Sequence, residues 1–548
     1  MVDCIGILYR YKERSVPQDV FLQDRRAQTI ASTKQFVSDF QYKDFIIMIS
    51  QEIQSYLFSR SSKNYMHFDY PLFPNERKRL IKNLDNDIPH HRYLPFIRVN
   101  IIQPKYNRGL REQKKIPKKV RKIELPSHHD ALIYQYFSYI LNKEYNLAVN
   151  DSLIDEVAVA YRLDRHISNI DVAKEVIDFI TLNEECWIIK GDFKHFFDNL
   201  DHQILESQLH KVLKSVYDED IRQAIKSIEN YRFVTKVKLE KQLKEANIRF
   251  PYTRNGKSSY LKNSKQLGEL LKSNKIRLSA KSCKGIPQGT AVSAILANIY
   301  MYSFDSWLGN LIKEYHGLYR RYSDDFIVIL PLSKNDYCKV KKIKGLILKN
   351  VYDNLRLKLE SEKTKILFYS KAQKVMYRYE DEGKCNKDAL VYLGFNFDGI
   401  AVSLRSRSMY RYQYRSKRSI KRYLLVKTAR IRALSGKGPT RNALRYNQNG
   451  KKRLRPNNSI EKYRKYRAIE KARNFTQQTI PLYHKKIANL YLATDRILPR
   501  SSMMSYAIKA QHILERNSKD KYKVVIERQI MRQNIKNQRR ISGKLNVW

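Results

Sequence analysis

Residues 321 to 330 read Arg-Tyr-Ser-Asp-Asp-Phe-Ile-Val-Ile-Leu. Two adjacent carboxylates, Asp324 and Asp325, stand directly before five apolar residues. An apolar run of this length behind a turn predicts a strand buried on both faces. The fold must therefore bring a buried sheet to an edge where two like charges are tolerated. Solvent in a surface turn achieves this. So does a bound cation. These ten residues alone leave both readings open.

A site that clamps two divalent cations needs carboxylates from more than one chain segment. Residues 186 to 202, "CWIIKGDFKHFFDNLDH", offer the second. Trp187, Ile188 and Ile189 form a short strand run, Asp192 follows at its end, and Phe193, Phe196 and Phe197 come next. Between the acidic elements lies "KGIPQGTAVSAILANIYMYSFD", residues 284 to 305. Gly285, Pro287 and Gly289 predict a tight loop where backbone approaches a ligand closely. Gln288 adds a two-sided amide. The loop feeds a helix in which Ile295, Ile299 and Tyr302 share a face.

Charge says what surrounds such a site. The 548 residues carry 106 Lys and Arg against 54 Asp and Glu, a net +52. This excess self-repels unless a polyanion neutralises it, and nucleic acid is the polyanion it fits. Residues 401–548 hold 39 basic and 6 acidic residues, +33 of the total. Apolar residues recur there at helical spacing, and Ile420, Leu424, Ile431 and Leu434 predict a buried stripe. Tyr410, Tyr412 and Tyr414 alternate with Arg411 and Arg415, a pattern suited to stacking on single strands. The nearby cations Lys417, Arg418, Lys421 and Arg422 complete a basic surface. A membrane is not expected as partner, because no apolar run reaches the roughly 18 residues of a span. Five dispersed cysteines point to a reducing cytoplasm and no structural zinc.

In their order, "DFKHFFDNLDH", "GIPQGTAVSAILANIY" and "RYSDDFIV" resemble the A, B and C motifs of reverse transcriptases. The likeness is to the bacterial branch of group II intron, retron and abortive-infection enzymes. Residues 116–137, 160–176, 355–367 and 391–397 resemble further motifs in the family's order. Ser323 stands where that family usually has Ala. The resemblance covers roughly residues 100 to 400.

It implies an α+β right-hand polymerase, with fingers, an antiparallel palm sheet, a Tyr-Ser-Asp-Asp hairpin, and a basic, mainly helical thumb and C-terminal region. The expected division is 1–95 as an N-terminal extension, 96–400 as fingers and palm with an insertion at about 229–282, 401–475 as thumb and 476–548 as a basic helical region. Asp192, Asp324 and Asp325 are implied to be catalytic and to hold two Mg²⁺. Arg121, Lys114 and Lys115 are implied at the triphosphate, Gln288 beside the templating pair, and Lys363 near the leaving pyrophosphate. Tyr392, Leu393 and Gly394 would grip the primer. Phe197, five residues after Asp192, holds the position of the bulky ring that rejects a ribose 2′-hydroxyl.

The implied partners are an RNA template, deoxynucleoside triphosphates and a DNA product. The sequence carries no Cys/His endonuclease module and no Val-Thr-Gly like that of retron enzymes. The chain therefore looks most like the defence-associated branch, whose members copy a structured non-coding RNA, form homo-oligomers, or prime from a protein hydroxyl. Its 39 tyrosines supply such hydroxyls without singling one out. The rival expectations are a maturase-like RNA-binding protein with a vestigial site and an RNA-templated RNA polymerase. Intact acids oppose the first and Phe197 opposes the second.

Overall fold

The computed structural model describes residues 51–105, 118–360 apart from Asp151, Leu153 and Asp164, 364–380, 385–434, and the stretches 444–446, 452–454, 487–492 and 502–545. The chain folds into two compact units interleaved along the sequence. The first gathers residues up to 103, then 119–166 and 186–366. The second gathers 104–118, 167–185 and 367–548.

The first unit combines exposed and fully buried strands. β1 (Phe96–Pro104) and β2 (Lys118–Leu125) precede the long helix α1 (His128–Val149). β3 (Glu185–Asp192) leads into α2 (His202–Leu213), whose first turn is capped by the Asp201 carboxylate. Helices α5 (Val292–Tyr300) and α6 (Tyr302–Lys313) follow the glycine loop. Ile295 and Ile299 are fully buried, whereas Tyr302 opens α6 and is only partly buried. The hairpin β7 (Leu318–Tyr322) and β8 (Asp325–Leu330) pairs antiparallel, and β8 also pairs antiparallel with β3. Trp187, Ile188, Phe326, Ile327, Val328, Ile329 and Leu330 are all fully buried. Helix α7 (Tyr337–Asp353) follows.

The 229–282 region is a packed lobe. β4 (Phe233–Thr235) pairs in parallel with β1, placing Phe96 opposite Phe233. α3 (Lys236–Glu245), the small hairpin of β5 (Tyr252–Arg254) and β6 (Lys257–Ser259), and α4 (Ser264–Lys272) follow. Leu239, Leu243, Tyr260, Leu261 and Leu267 share one core with Phe68 and Ile97. The basic composition of this stretch is the solvent side of an ordinary amphipathic lobe.

The second unit carries β9 (Lys365–Ser370), β10 (Val375–Tyr379) and β11 (Cys385–Lys387) side by side. A second sheet runs β12 (Leu390–Tyr392), β13 (Phe395–Phe397), β14 (Ala401–Leu404) and β15 (Lys523–Val524). The basic helix α8 (Ser406–Leu434) packs on α10 (Ile526–Leu545), against which α9 (Met503–Glu515) also lies. Ile420 is fully buried and Leu424 partly so. Ile431 and Leu434 lie where side chains fall outside the described residues. Among the described residues, no helix is long and apolar enough to cross a membrane.

Candidate active site

Asp192 ends β3 and Asp325 begins β8, and the two are paired across the strands. The Phe193 amide donates to the Asp324 carbonyl at 3.1 Å, and the Glu360 amide to the Asp192 carbonyl at 2.8 Å. All three acids are partly exposed at the end of a buried sheet. Lys190 Nζ lies 3.6 Å from Asp325 Oδ1 and offsets part of the repulsion.

The hairpin turn that presents them is held from behind. Ser323 is left-handed, with φ 61°, a conformation a residue with a β-carbon adopts at a cost of about 1–2 kcal/mol. Arg321 Nη1 donates to the Ser323 carbonyl at 3.1 Å, and the Tyr161 hydroxyl donates to Ser323 Oγ at 3.1 Å. Serine in place of the family's usual alanine thus gains a partner. Arg321 is fully buried and forks onto Asp305, also fully buried, with Nη2 to Oδ2 at 2.6 Å. Its Nη1 also donates to Asn298 Oδ1 at 3.2 Å, while Asn298 Nδ2 donates to the Ala160 carbonyl at 2.8 Å. Burial opposes the Arg321 charge, but the adjoining Asp305 carboxylate outweighs it and raises the guanidinium pKa.

The glycine loop runs past Phe197 and β2. Gly285 N donates to the Leu200 carbonyl at 2.7 Å, and Ile286 N to the Phe197 carbonyl at 2.9 Å. Gly285 has φ 83° and Gly289 φ 136°. A β-carbon there would meet the Asp198 oxygen at 2.6 Å and the Glu124 oxygen at 2.5 Å, respectively. Gln288 is clamped through its backbone: its amide donates to Glu124 Oε2 at 2.9 Å and its carbonyl accepts from Glu124 N at 2.8 Å. Glu124 is itself buried and paired with Arg98 at 2.6 Å. Burial raises the Glu124 pKa, against the pull of Arg98. The ring of Phe197 stands apart from its neighbours. Phe193 and Phe196 are 2% and 3% exposed, whereas Phe197 is only partly buried, edge-on to Phe196 at 5.5 Å.

The family described as Reverse transcriptase (RNA-dependent DNA polymerase) matches residues 112–397, more than half of the chain. The chain belongs to the reverse transcriptase family. A curated relative is the Group II intron-encoded protein LtrA of Lactococcus lactis subsp. cremoris, 24% identical over 204 residues. The match covers 37% of this chain and 25% of LtrA, so the chain spans about a quarter of that relative's length. Among solved structures, apo telomerase of Candida tropicalis truncated from the C-terminal domain is similar, with 16% identity, a TM-score of 0.34 and 57% of each chain covered. Telomerase of the same organism in complex with a TWJ fragment of telomeric RNA has 14% identity and a TM-score of 0.35, covering 86% of this chain and 65% of that one.

The other anticipated residues of this family member fall in several parts of the fold. Arg121 is exposed on β2. Lys114, Lys115 and Lys363 lie outside the described residues. Tyr392, Leu393 and Gly394 belong to the second unit, at the β12–β13 turn. Tyr392 is buried there, and the Leu393 carbonyl accepts from Asn169 Nδ2 at 2.9 Å. Arg411, Arg415, Lys417, Arg418 and Lys421 are exposed on α8, while the Arg422 side chain lies outside the description. Tyr412 departs from the stacking pattern expected of it. It is buried, and its hydroxyl donates to Asn534 Oδ1 at 2.6 Å. Tyr414 remains exposed and Tyr410 partly so.

Four site-building residues gave no sequence signal: Asp305, Arg321, Asn298 and Glu124. Each has a partner more than fifteen positions away, and Arg321 bonds the nearby Ser323 carbonyl as well. Only the adjacency of Arg321 to the Tyr-Ser-Asp-Asp turn hinted at a role.

Proposed function

We propose that the chain is an RNA-templated DNA polymerase. The observation that carries this reading is the cross-strand pairing of Asp192 with Asp325, with the Asp324 carbonyl tied to Phe193 in the adjoining turn. Reverse transcriptases generally use divalent metal ions, and hard carboxylate oxygens suit Mg²⁺. Among the described residues, no three His, Cys, Asp or Glu side chains are already drawn into one cage. The fit therefore rests on two strand-end acids and one turn acid meeting at one edge. Asp192, Asp324 and Asp325 would hold two Mg²⁺, which when bound supply activation of the primer hydroxyl and neutralisation of the leaving oxygen.

The protein's own groups take the remaining roles. Arg121, with Lys114 and Lys115, would bind the triphosphate, and Lys363 would face the pyrophosphate. Gln288, fixed through Glu124, would lie against the templating pair. Tyr392, Leu393 and Gly394 would grip the primer. In this reading 96–400 forms fingers and palm, 401–475 the thumb and 476–548 a basic helical region. The first 95 residues form an extension. We place the activity in bacterial anti-phage defence, with a structured non-coding RNA as template, a protein hydroxyl as primer and a homo-oligomer as the working form. The motif resemblance and the strongly basic C-terminal quarter support that assignment. Purified protein with Mg²⁺, each nucleotide set and co-purifying RNA, followed by product sequencing, tests the whole. Ribonucleotide products would favour an RNA polymerase, and RNA binding without synthesis a maturase-like protein.

Phe197→Ala is expected to raise the ratio of ribo- to deoxynucleotide efficiency by about tenfold or more, the scale of one relieved clash. The ring is partly exposed rather than core, so melting should shift far less than for a buried phenylalanine, where Ala costs about 3–5 kcal/mol. Tyr at 197 should keep discrimination. An unchanged ratio in a folded Phe197→Ala protein rules out the gate.

The basic face of α8 is tested by charge rather than by truncation. β15 is a strand partner of β14, and the Tyr522 hydroxyl donates to Asp178 Oδ1 at 2.7 Å, so cutting at 401 would unmake the second unit. Alanine at Arg411, Arg415, Lys417, Arg418 and Lys421 should make log affinity fall less steeply with log salt. The slope should shrink by about 0.7 for each single-strand phosphate that is no longer neutralised. Equal slopes would show that this face does not meet RNA.

A further inference from the structure

Amphipathicity explains why the outer face of the 229–282 lobe is polar. It does not explain the sign of its charge. The stretch holds 14 Lys and Arg against 4 Asp and Glu, a net +10 in 54 residues. Once the +33 of residues 401–548 is taken from +52, the first 400 residues carry +19, and this lobe holds more than half of that. A solvated face needs charge of either sign, whereas an excess of one sign repels itself and calls for a polyanion.

The cations are available to one. Among the fourteen, only Lys236 and Lys241 meet a carboxylate, Glu240 at 3.9 Å and Glu245 at 3.6 Å. Lys238, Lys241 and Lys244 stand three residues apart on the side of α3 away from the buried Leu239 and Leu243, so they form an exposed row rising about 4.5 Å per step. Lys265 and Lys272, two turns apart on α4, are exposed opposite the buried Leu267 and Leu270. The face is anchored to the first unit: β4 pairs with β1, and the lobe's core includes Phe68 and Ile97. That core takes no residue from β3 or β8, the strands that carry Asp192 and Asp325.

Aromatic faces decide between a single strand and a helix. Single strands are held by open rings on which bases stack. None of the lobe's five rings is exposed. Tyr252 lies under Lys262 Nζ at 5.7 Å and Phe233 under the Arg98 guanidinium at 3.3 Å, while Phe250 packs on Tyr260 and Tyr231 on Phe96, both at 5.7 Å. Cations without stacking platforms suit a double helix, which is held by its phosphates and its shape. Resting on the polymerase reading above and its structured RNA, we infer that the 229–282 lobe grips the phosphate backbone of a double-helical stem of that RNA, outside the copying site.

The test uses the full chain without nucleotides and a blunt RNA duplex of about 16 base pairs, a length that presents two successive minor grooves. Lys238, Lys241, Lys244, Lys265 and Lys272 are changed together to Gln, and separately to Arg. For the Gln variant, log affinity should fall less steeply with log salt, by about 0.9 for each helix phosphate no longer neutralised and up to about 4.5 for all five. The Arg variant should match the parent. On a single-stranded RNA of the same length the Gln variant's slope should stay within one contact, about 0.7, of the parent's. Melting should hold, because all five lysines are exposed and the Lys241–Glu245 pair lies at the surface. If the Gln variant melts lower, Lys238→Gln and Lys272→Gln are measured singly, each with an expected change of about 0.9 in slope. Equal duplex slopes in parent and variant overturn the inference. So does an equal loss on the single strand, which would make the lobe a general polyanion surface. A loss confined to phosphatidylserine vesicles overturns it too, by making the partner a membrane. Extension of a short DNA primer on a stem-free RNA template should be the same for parent and Gln variant. Weaker binding of that primer–template would put the product duplex on the lobe and overturn the stem. If the parent itself does not extend the primer, the polymerase reading fails, and the duplex slopes still decide the lobe.

Discussion

Asp324→Asn combined with Asp325→Asn should abolish nucleotide addition and leave RNA affinity within about twofold of the parent. The two amides keep the shape of the acids and remove their charge. Metal-assisted stabilisation is worth several kcal/mol, so a loss of about 10³-fold or more is expected, at 1.36 kcal/mol per tenfold. Folding should not suffer. The acids are partly exposed, Asn keeps their shape, and the turn carries hydrogen bonds at the Ser323 carbonyl and hydroxyl that the substitutions leave in place. RNA is bound by cations elsewhere, and removing two negative charges beside a phosphate path cannot weaken that attraction. Primer extension, filter binding and thermal melting on one preparation check all three statements. Persistent incorporation would mean that the acids are a solvated turn. A joint loss of synthesis and binding would mean that they are structural.

The contrast between what the sequence disclosed and what it hid has a physical cause. Local pattern was legible. Residues 187–189 and 326–330 read as buried strands because a strand covered on both faces leaves an unbroken apolar run, and Asp192, Asp324 and Asp325 mark their ends. The glycine loop was legible as a close approach, although its partners, the backbone oxygens of Asp198 and Glu124, were not. Position 197 was ambiguous, since three phenylalanines in five residues cannot all be ranked by burial from sequence.

What remained hidden was long-range. Glu124 reads as one charge in a basic strand and becomes the buried clamp of Gln288 only once β2 lies against the loop. The 229–282 stretch reads as a polar insertion because its lobe is small, and its core borrows Phe68 and Ile97 from distant sequence. Tyr412 is indistinguishable in sequence from Tyr414, yet helical spacing turns one toward Asn534 and leaves the other at the surface.

Asp305→Ala should be strongly destabilising. Asp305 and Arg321 are both wholly excluded from solvent, and the carboxylate accepts from Arg321 Nε, Arg321 Nη2 and the Tyr319 hydroxyl. Removing it strands a guanidinium in the core, which costs about 3–5 kcal/mol, a large part of the roughly 5–15 kcal/mol that holds a domain folded. The pair is better understood as a positioning device than as a source of stability, because apolar replacements of buried ion pairs are often neutral. Asp305→Leu with Arg321→Met should therefore recover part of the melting temperature lost in Asp305→Ala. Recovery should stay incomplete, because the Tyr319 hydroxyl and Asn298 Oδ1 each lose a bond. Activity should not return. Without Arg321 its hydrogen bond to the Ser323 carbonyl is gone, the left-handed turn relaxes, and Asp324 and Asp325 lose their register with Asp192. The deficit should fall on kcat with KM for the nucleotide little changed, because binding cations lie elsewhere. If stability and activity recover together, Arg321 merely fills space. If stability recovers and kcat does not, the buried pair sets the geometry of the acids.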